Sequence, residues 1–252
     1  MNSLSEDQLE TYSWQTRIAD LGVAGQQILA GSTALVSRCG GLGGPVAQQL
    51  AVAGIGRLVV AHAGQVKPSD LNRQILMSSD DVGRSRMDAI VRRLRSYSRH
   101  LEVIAVPENV GPDNAADLVT QADIVFDCAP LFEERYALNE QCVLQGKPMI
   151  EAAVYEMQGQ VMTILPGQTP CLRCLYPQRP EKWTRKFPVL GGVSAVAGAI
   201  AAVEGVKVLT GMGKPLAGTL LCFDARTMRF DRLTIPRDPN CPICSQVFRI
   251  CD

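Results

Sequence analysis

The chain has 252 residues, and its 25 Lys and Arg residues balance its 25 Asp and Glu residues. This length is sufficient for a large α/β domain with a full core, and the balanced charge gives no electrostatic case for a nucleic-acid or membrane-surface partner. No apolar run reaches about 18 residues without interruption, so no transmembrane helix is predicted; residues 189–206 come nearest but include Glu204.

The first half of the chain alternates between strand-like and helix-like patterns. Short apolar runs predict strands, and longer amphipathic runs between them predict helices. This alternation predicts an α/β fold, with a Rossmann-like, mostly parallel sheet, right-handed crossovers and helices on both faces. The predicted strands are 34–37, 57–61, 102–106, 124–127 and 148–151, and the predicted helices are 46–53, 86–97, 115–121 and 133–145.

A glycine-rich run follows the first predicted strand. Residues 38–43 read Arg-Cys-Gly-Gly-Leu-Gly, after apolar residues at 28–30 and 34–36 that we assign to the strand. A strand, a glycine turn and a helix form a Rossmann-type nucleotide site, where the backbone approaches a phosphate at the helix N-terminus. The glycines alone are weak evidence, because such turns also serve plain packing of a helix on a strand. Arg38 replaces the first glycine of the expected Gly-x-Gly-Gly-Leu-Gly, so the part that holds the nucleotide is altered.

The pattern changes after about residue 152. Residues 158–165 and 218–234 predict antiparallel strands, joined through a long helix over residues 193–210. Residues 177–190 are rich in Pro, Lys and Arg, have neither a helical nor a strand period, and predict a mobile surface loop or crossover. These elements form a C-terminal antiparallel extension of the parallel sheet.

We predict a single domain over residues 1–252. Neither an internal repeat nor a low-complexity segment divides the chain. Residues 1–152 form a Rossmann-like, nucleotide-binding half that contains the glycine run. Residues 153–252 form a strand-rich half that contains two pairs of cysteines.

The cysteine content indicates a reducing compartment. The chain contains nine cysteines, and its first residues lack the basic and apolar regions of a secretory signal peptide. In a reducing cytosol, paired cysteines bind metal more often than they form disulfides. We therefore expect a cytoplasmic protein.

Two Cys-x-x-Cys pairs lie about 70 residues apart, Cys171 with Cys174 and Cys241 with Cys244. Each pair presents two thiolates from one tight turn, and two such turns complete a tetrahedral zinc site. The alternatives are two redox dithiols or unrelated buried cysteines; a redox pair normally opens a helix, which neither pair is predicted to do. No nearby His offers an exchangeable ligand, so we predict a closed, structural zinc site. The other cysteines lie mostly in apolar runs, where four of the five are expected to be buried: Cys39, Cys128, Cys142, Cys222 and Cys251.

Several motifs occur in a fixed order along the chain. Residues 40–43 read Gly-Gly-Leu-Gly, residues 53–56 read Ala-Gly-Ile-Gly, and residues 70–76 read Asp-Leu-Asn-Arg-Gln-Ile-Leu, before the two cysteine pairs. This order resembles the HesA/MoeB/ThiF family of ubiquitin-activating-type adenylyltransferases, which act on small sulfur-carrier proteins. The resemblance extends from Tyr12 to Cys244 and includes Val82-Gly83, Phe126-Asp127-Cys128, Arg135, Asn139, Gly159-Gln160, residues 202–207 and Phe223-Asp224-Ala225.

The resemblance implies an ATP-dependent reaction. In that family the enzyme binds ATP and magnesium at the glycine loop and receives the Gly-Gly tail of its carrier, whose carboxylate attacks the α-phosphate. The products are an acyl-adenylate and pyrophosphate, and the reaction needs positive side chains on the phosphates and carboxylates on the ribose and the metal. The second half of the chain is implied to bind the sulfur-carrier protein or a peptide. The residues implied to contact the nucleotide are Gly41, Gly43, Arg73, Gln74 and Arg86, with Arg73 and Arg86 as the candidate catalytic cations.

The sequence departs from the family pattern at most of the ATP and magnesium positions. Losing one phosphate or metal contact costs on the order of 100-fold in rate, so several losses at one site leave little adenylation activity. We therefore expect ATP and magnesium to bind weakly or not at all. The substituted positions are Arg38 for a Gly, His62-Ala63-Gly64 for the acidic ribose-binding cluster, Asp70 for an Asn, Arg86 for the phosphate-binding Lys, Pro130 for the magnesium-binding Asp and Trp14 for an Arg donated by a partner subunit.

Some neighbouring residues offer partial replacements. Glu133 or Glu134 lies about one helical turn beyond Pro130 and is the candidate magnesium ligand. His62 is expected at a strand end or on the surface rather than as a catalytic base. The cysteine that some family members carry in the crossover loop is absent, and Thr184 lies near its position.

The sequence leaves two functions open. The first is a divergent adenylyltransferase, in which Arg73, Arg86 and one of the two glutamates serve the phosphates and the metal. The second is a non-catalytic pseudo-enzyme that keeps a dimer surface and a carrier-binding sheet and acts as the partner subunit of an active paralogue. In either case the apolar, glycine-containing helix over residues 193–209 predicts a homodimer or a heterodimer.

Overall fold

The computed structural model describes residues 3–181 and 183–248. The strands are β1 (Thr33–Val36), β2 (Arg57–Ala61), β3 (Glu102–Val106), β4 (Ile124–Asp127), β5 (Met149–Tyr155), β6 (Gln158–Ile164), β7 (Thr219–Asp224) and β8 (Arg229–Thr234). They form one eight-stranded sheet in the order β3-β2-β1-β4-β5-β6-β7-β8. Neighbours among β1 to β5 run parallel, and β5 to β8 pair antiparallel. The predicted parallel sheet with an antiparallel C-terminal extension is confirmed.

The helices cover both faces of this sheet. They are α1 (Glu6–Thr11), α2 (Gly22–Gly31), α3 (Gly43–Ala53), α4 (Arg86–Tyr97), α5 (Ala115–Thr120), α6 (Phe132–Leu144), α7 (Leu172–Leu175), α8 (Gly191–Thr210) and α9 (Ser245–Phe248), with short 3-10 helices at Gln15–Arg17, Pro68–Asp70 and Ser79–Asp81. Side chains of β1 alternate between two core clusters, because successive strand residues point to opposite faces. Ala34 and Val36 pack in the cluster with α3, α4 and α8, and Leu35 packs in the cluster with α5 and α6.

The apolar residues 28–30, assigned to the first strand from their sequence, lie instead in α2. The strand begins only at Thr33, after the N–H of Ser32 donates to the carbonyl of Leu29 at the helix end. Helix-forming Ala, Gln and Leu make up half of the ten residues of α2, and the helix buries Gln26 and Leu29, three residues apart, on one side. A short apolar run is thus part of a buried helix here.

The sequence analysis also missed α1. The side-chain oxygen of Ser5 accepts from the N–H of Gln8 at 3.2 Å, and the side chain of Gln8 accepts from the N–H of Ser5 at 3.0 Å. Such a reciprocal capping box satisfies two backbone donors at a helix start. The Ser-x-x-Gln spacing was therefore an available signal for this helix.

Helix α8 is the long helix at the centre of the fold. It has 20 residues and is, within the described chain, the one helix long and apolar enough by length and composition to cross a membrane. It packs against α3 and against β5 and β6. A Cβ on Gly198 would lie 2.8 Å from the carbonyl oxygen of Leu42, and a Cβ on Gly205 would lie 2.2 Å from Cζ of Phe126. These glycines let α8 sit directly on α3 and the sheet, as a core helix does.

Glu204 connects α8 to its surroundings. Its side chain is buried, and Oε2 accepts from the hydroxyl of Thr163 at 2.7 Å and from the N–H of Leu216 at 2.6 Å. Its other oxygen pairs with Lys207. One carboxylate therefore links α8 to β6 and to the segment that enters β7.

Replacing Glu204 by Ala is expected to lower the free energy of unfolding by about 3 kcal/mol, because two buried donors lose their acceptor. Urea denaturation followed by circular dichroism measures this change. The matched control is Glu140→Ala, at an exposed position of α6, which should change the free energy by less than about 0.5 kcal/mol. Equal effects of the two substitutions would contradict a stabilising role for the Glu204 contacts.

Candidate functional site

The candidate site lies at the carboxyl ends of β1, β2 and β4. Strand β1 pairs with β2 on one side and with β4 on the other, so the strand order reverses at this point. Ligands of parallel α/β proteins bind outside the carboxyl ends of the strands at such a switch point. We call this region the crevice, and define it by Arg38, His62, Asp70, Gln74, Arg86 and Glu134.

The glycines beside the crevice are required by packing. A Cβ on Gly43 would lie 2.0 Å from the carbonyl oxygen of Arg38, and a Cβ on Gly41 would lie 3.0 Å from Cγ of Arg73. Because no side chain tolerates a backbone oxygen at 2.0 Å, α3 can start directly after the loop only with glycine at position 43. The structure thus brings Gly41 next to Arg73. The same geometry serves helix packing with or without a nucleotide.

Arg38 forms a buried ion pair with Glu134, in the first turn of α6. Nε of Arg38 donates to Oε2 of Glu134 at 2.8 Å, and Nη2 donates to Oε1. Their residues are 4% and 7% exposed, respectively. Glu133, the other glutamate considered for magnesium, is exposed and pairs with Arg179. Both candidate replacements for the side chain missing at Pro130 are therefore engaged with arginines.

A second buried ion pair joins Asp70 to Arg86. Nη2 of Arg86 donates to Oδ2 of Asp70 at 2.6 Å, and Nε2 of Gln74 donates to Oδ1 at 2.8 Å. Burial raises the pKa of Asp70, but hydrogen bonds from Arg86 and from the N–H of Lys67 outweigh it, so the pKa lies below its usual value. Nη2 of Arg73 lies 3.7 Å from Oδ1. Three residues assigned to the nucleotide thus converge on one carboxylate.

His62 directly follows β2, so of the two expected positions, strand end or surface, it takes the strand end. It is 4% exposed, and a Cβ on Gly40 would lie 3.4 Å from its Cε1. The chain buries it because the glycine run packs over the end of β2. Burial, together with the positive charges of Arg38 and Arg86, lowers the pKa of His62 to about 3. The imidazole is therefore neutral at neutral pH.

Three buried polar atoms of the crevice have no hydrogen-bond partner among the described residues. They are Nδ1 of His62, Oε1 of Gln74 and Nε of Arg86. Buried polar atoms in proteins are nearly always paired, so these three atoms need partners that the described residues do not supply. Gln74 and Arg86 were assigned to the nucleotide from the sequence, whereas His62 was given only as the residue that replaces an acidic ribose-binding group.

A further buried network, which we call the Arg135 network, joins β4, β5 and α6. Arg135 donates from Nε to Asp127 at 2.8 Å and from Nη2 to Oε1 of Glu151 at 2.5 Å. Gln160 donates to the same oxygen of Glu151 at 2.9 Å, and the hydroxyl of Tyr176 donates to Gln160 at 3.1 Å. Burial raises the pKa of Glu151, and its Oε2 has no partner among the described residues. Two carboxyl groups thus share one guanidinium.

A cavity of about 330 Å³ lies beside the Arg135 network. It is bounded by α6, by the antiparallel strands and by residues 177–190. Several aromatic rings line it, so we call it the aromatic cavity. Its lining includes Phe132, Arg135, Tyr155, Gln160, Tyr176, Trp183, Asp224 and Asp231.

Residues 177–190 form one wall of the aromatic cavity. As predicted, the described part of this segment contains neither a helix nor a strand. The indole N–H of Trp183 donates to the carbonyl of Pro130 at 2.6 Å. The N–H of Glu156 donates to the carbonyl of Pro188 at 2.6 Å, and the N–H of Leu190 donates to the carbonyl of Glu156 at 3.2 Å. The segment is thus tied to the loop after β4 and to the turn between β5 and β6.

The four cysteines of the two pairs converge on one point. The Sγ atoms of Cys171, Cys174, Cys241 and Cys244 lie within 4.8 Å of one another, a cluster that can hold a metal ion. One expectation was wrong, because Cys171 immediately precedes α7 and the first pair therefore opens a four-residue helix. The convergence of both pairs distinguishes this cluster from two separate redox dithiols. Of the remaining cysteines, Cys39, Cys128 and Cys142 are buried, Cys222 is partly buried, and Cys251 lies outside the described residues.

The fold and the ordered motifs agree with one family along the chain. The sequence profile of the ThiF family matches residues 12–243. The chain belongs to the ThiF family. The resemblance carried by the motifs is therefore confirmed over nearly the whole chain.

Two relatives support this membership, and a solved structure shares the fold. The chain is 43% identical over 244 residues to the vegetative HesA protein of Trichormus variabilis, covering 97% of this chain and 92% of that protein. It is 37% identical over 249 residues to a sulfur carrier protein adenylyltransferase of Thermus thermophilus, covering 95% and 92%. The crystal structure of E. coli MccB with MccA-N7isoASN has a TM-score of 0.82 at 22% identity, covering 96% of this chain and 75% of that chain. At this identity the structural likeness shows the fold alone.

Proposed function

We propose that this ThiF-family protein binds the C-terminal tail of a ubiquitin-like sulfur-carrier protein or of a peptide, with impaired ATP-dependent adenylation. The relative from Thermus thermophilus, named a sulfur carrier protein adenylyltransferase, supports the general function. The antiparallel strands β5 to β8 and the aromatic cavity supply a surface for the partner. In this proposal residues 1–152 are the nucleotide-binding half and residues 153–252 the carrier-binding half.

We infer the impaired adenylation from one observation: the two buried cations of the crevice are already paired with carboxylates of the protein. Arg38 is held by Glu134, and Arg86 is held by Asp70. Adenylation of a carboxylate needs cations that are free to bind and stabilise the phosphates. Arg73, at the rim, keeps about a third of its side chain exposed. A triphosphate would therefore meet little uncompensated positive charge.

The groups available to magnesium and ribose also fit ATP poorly. Magnesium prefers carboxylate, phosphate and water oxygens, and Pro130 has no side-chain oxygen. Glu133 and Glu134 are engaged with arginines. His62 is neutral and buried, so it does not replace the acidic residue implied for the ribose.

The same pairing favours a second candidate function, a non-catalytic partner subunit of an active paralogue. A crevice whose buried charges are paired internally stays folded without a nucleotide. Trp14 is exposed at the position for which the family resemblance implies an arginine donated to the partner. A paralogue encoded nearby with an intact glycine loop and acidic cluster would support this function over a divergent enzyme.

Isothermal titration calorimetry is expected to detect weak or no binding of ATP with magnesium to the purified protein. Pyrophosphate exchange with a sulfur-carrier protein should be slow for the same reason, namely paired cations and absent metal ligands. Robust carrier-dependent exchange by the unaltered protein would overturn the impairment and favour a different, working phosphate site.

The triple variant Arg38→Gly, His62→Asp and Pro130→Asp tests whether reversing three of the substitutions restores the binding of ATP with magnesium. It should recover part of the binding, whereas each single change should do little, because the losses share one site. Arg38→Gly alone should also lower the thermal stability, since Glu134 is left buried without its partner. Adding Glu134→Leu to Arg38→Gly should restore part of that stability.

We also propose that the cysteine cluster holds one structural zinc ion, which requires reduced thiols and so fits a cytoplasmic location. Protein purified without chelator should contain about one zinc per chain by mass spectrometry, with Zn–S distances of about 2.3 Å by X-ray absorption. Cys171→Ser should strongly lower the thermal stability, because the metal links segments about 70 residues apart. Cys222→Ser, outside the cluster, is the control. Much less than one zinc per chain would contradict this assignment.

The protein is further proposed to form a dimer through α8, as a homodimer or with a paralogue. Val196 and Val203 leave apolar surface of this helix exposed. Light scattering at micromolar concentration should give a dimer, and Val203→Glu should shift it toward monomer by placing a charge in the interface. Leu144→Glu, at an exposed position of α6, should leave the dimer intact. A monomer both alone and with the paralogue would contradict the proposal.

A further inference from the structure

We propose that the aromatic cavity binds the cationic side chain of a lysine or arginine carried by the partner segment that docks on this surface. This proposal deepens the proposed function, because it requires such a segment. It assigns a preference for positive charge to a site distinct from the crevice. The aromatic rings, the charges of the lining and the contacts of Arg135 support it.

Aromatic rings form the walls of the cavity. Phe132 makes edge-to-face contacts with Tyr176 and Trp183, at centroid distances of 5.3 and 6.0 Å, and Trp183 lies 6.3 Å from Tyr155. The faces of such rings attract cations through their quadrupole. Arg135 already uses this attraction, because its guanidinium carbon lies 5.4 Å from the centroid of Phe132 and 5.9 Å from that of Tyr176.

The charged groups in the described lining of the cavity, together with the carboxylates that hold its arginine, are predominantly negative. The described Lys and Arg side chains of residues 177–190 are not part of that lining. Arg135 is the one cation in its described lining, and it is shared between two buried carboxyl groups, Asp127 and Glu151. Asp224 and Asp231 also line the cavity. Asp231 pairs with Arg229, and the two side chains are 45% and 73% exposed, so solvent screens both of these charges. The buried negative groups beside the cavity are therefore Asp127 and Glu151.

An unpaired acceptor lies next to the lining. Oε2 of Glu151 is buried without a partner among the described residues, while its Oε1 is bonded by Arg135 and Gln160, which both line the cavity. A phosphate or a carboxylate in the cavity would meet these acidic groups and be repelled. A purely apolar side chain would fill the volume and leave the charge uncompensated. An ammonium or guanidinium group can both contact the faces of the rings and compensate the negative charge.

The test compares three series of N-acetylated hexapeptides ending in Gly-Gly. Lysine, the uncharged isostere norleucine or glutamate is placed in turn at each of the four preceding positions, and binding is measured by calorimetry at low salt. At one position the lysine peptide should bind about tenfold more tightly than the norleucine peptide, and the glutamate peptide should bind most weakly. Raising the salt concentration should reduce the lysine advantage. Equal affinity of lysine and norleucine at all positions would overturn the cationic site and leave peptide docking intact.

Asp231→Asn removes one negative charge from the cavity at nearly constant shape and should reduce the lysine advantage to about threefold. Asp80→Asn, at an exposed aspartate outside the lining, is the matched control and should leave it unchanged. An unchanged advantage in Asp231→Asn would count against the assignment. In a Trp14→Phe background, the fluorescence of Trp183 should respond to the lysine peptide. Binding of the free probe Nα-acetyl-lysine methylamide, with no peptide binding, would support the cationic site and contradict the docking function.

Discussion

Buried charge must be paired, and this constraint organises the centre of the molecule. An isolated ion in a protein interior costs several kcal/mol, which a well-placed partner offsets. Arg38 with Glu134 ties the loop after β1 to α6, and Asp70 with Arg86 ties the segment after β2 to α4. Arg135 ties α6 to both β4 and β5. Arginine–carboxylate contacts therefore fix the positions of the elements that surround the carboxyl ends of the strands.

Pairing makes these positions interdependent. An aspartate at position 70 is tolerated in the interior because an arginine at position 86 reaches it, so two departures from the family pattern act as one energetic unit. Arg38 and Glu134 form a second energetic unit, in which Arg38 is the departure from the expected pattern and Glu134 is its partner. Removing one member of such a pair is far more costly than replacing both by apolar residues of similar shape. Substitutions of this kind accumulate most easily when the carboxylate and the arginine change in close succession.

How much of the fold and of the candidate site could be predicted from the sequence depended on how far apart in the chain the interacting residues lie. The alternation of strands and helices was predictable because periodicity is local. Residues 28–30 were misassigned, since a short apolar run does not distinguish a strand from a buried helix turn. The pairing of Arg38 with Glu134, 96 positions apart, had no local signal. The pairing of Asp70 with Arg86 could have been suspected, because Asp70 places a negative charge where an Asn is expected, near a cation implied to serve the same ligand.

Gly43 would be retained in a chain that never meets a nucleotide. The carbonyl oxygen of Arg38 lies 2.0 Å from where its Cβ would stand, so the requirement comes from the angle at which α3 leaves its loop. A search for Gly-Gly-Leu-Gly therefore detects how α3 leaves its loop. It does not separate family members that bind a nucleotide from members that do not. The carboxylates that pair with the arginines around the loop instead determine how much free positive charge a phosphate would meet there.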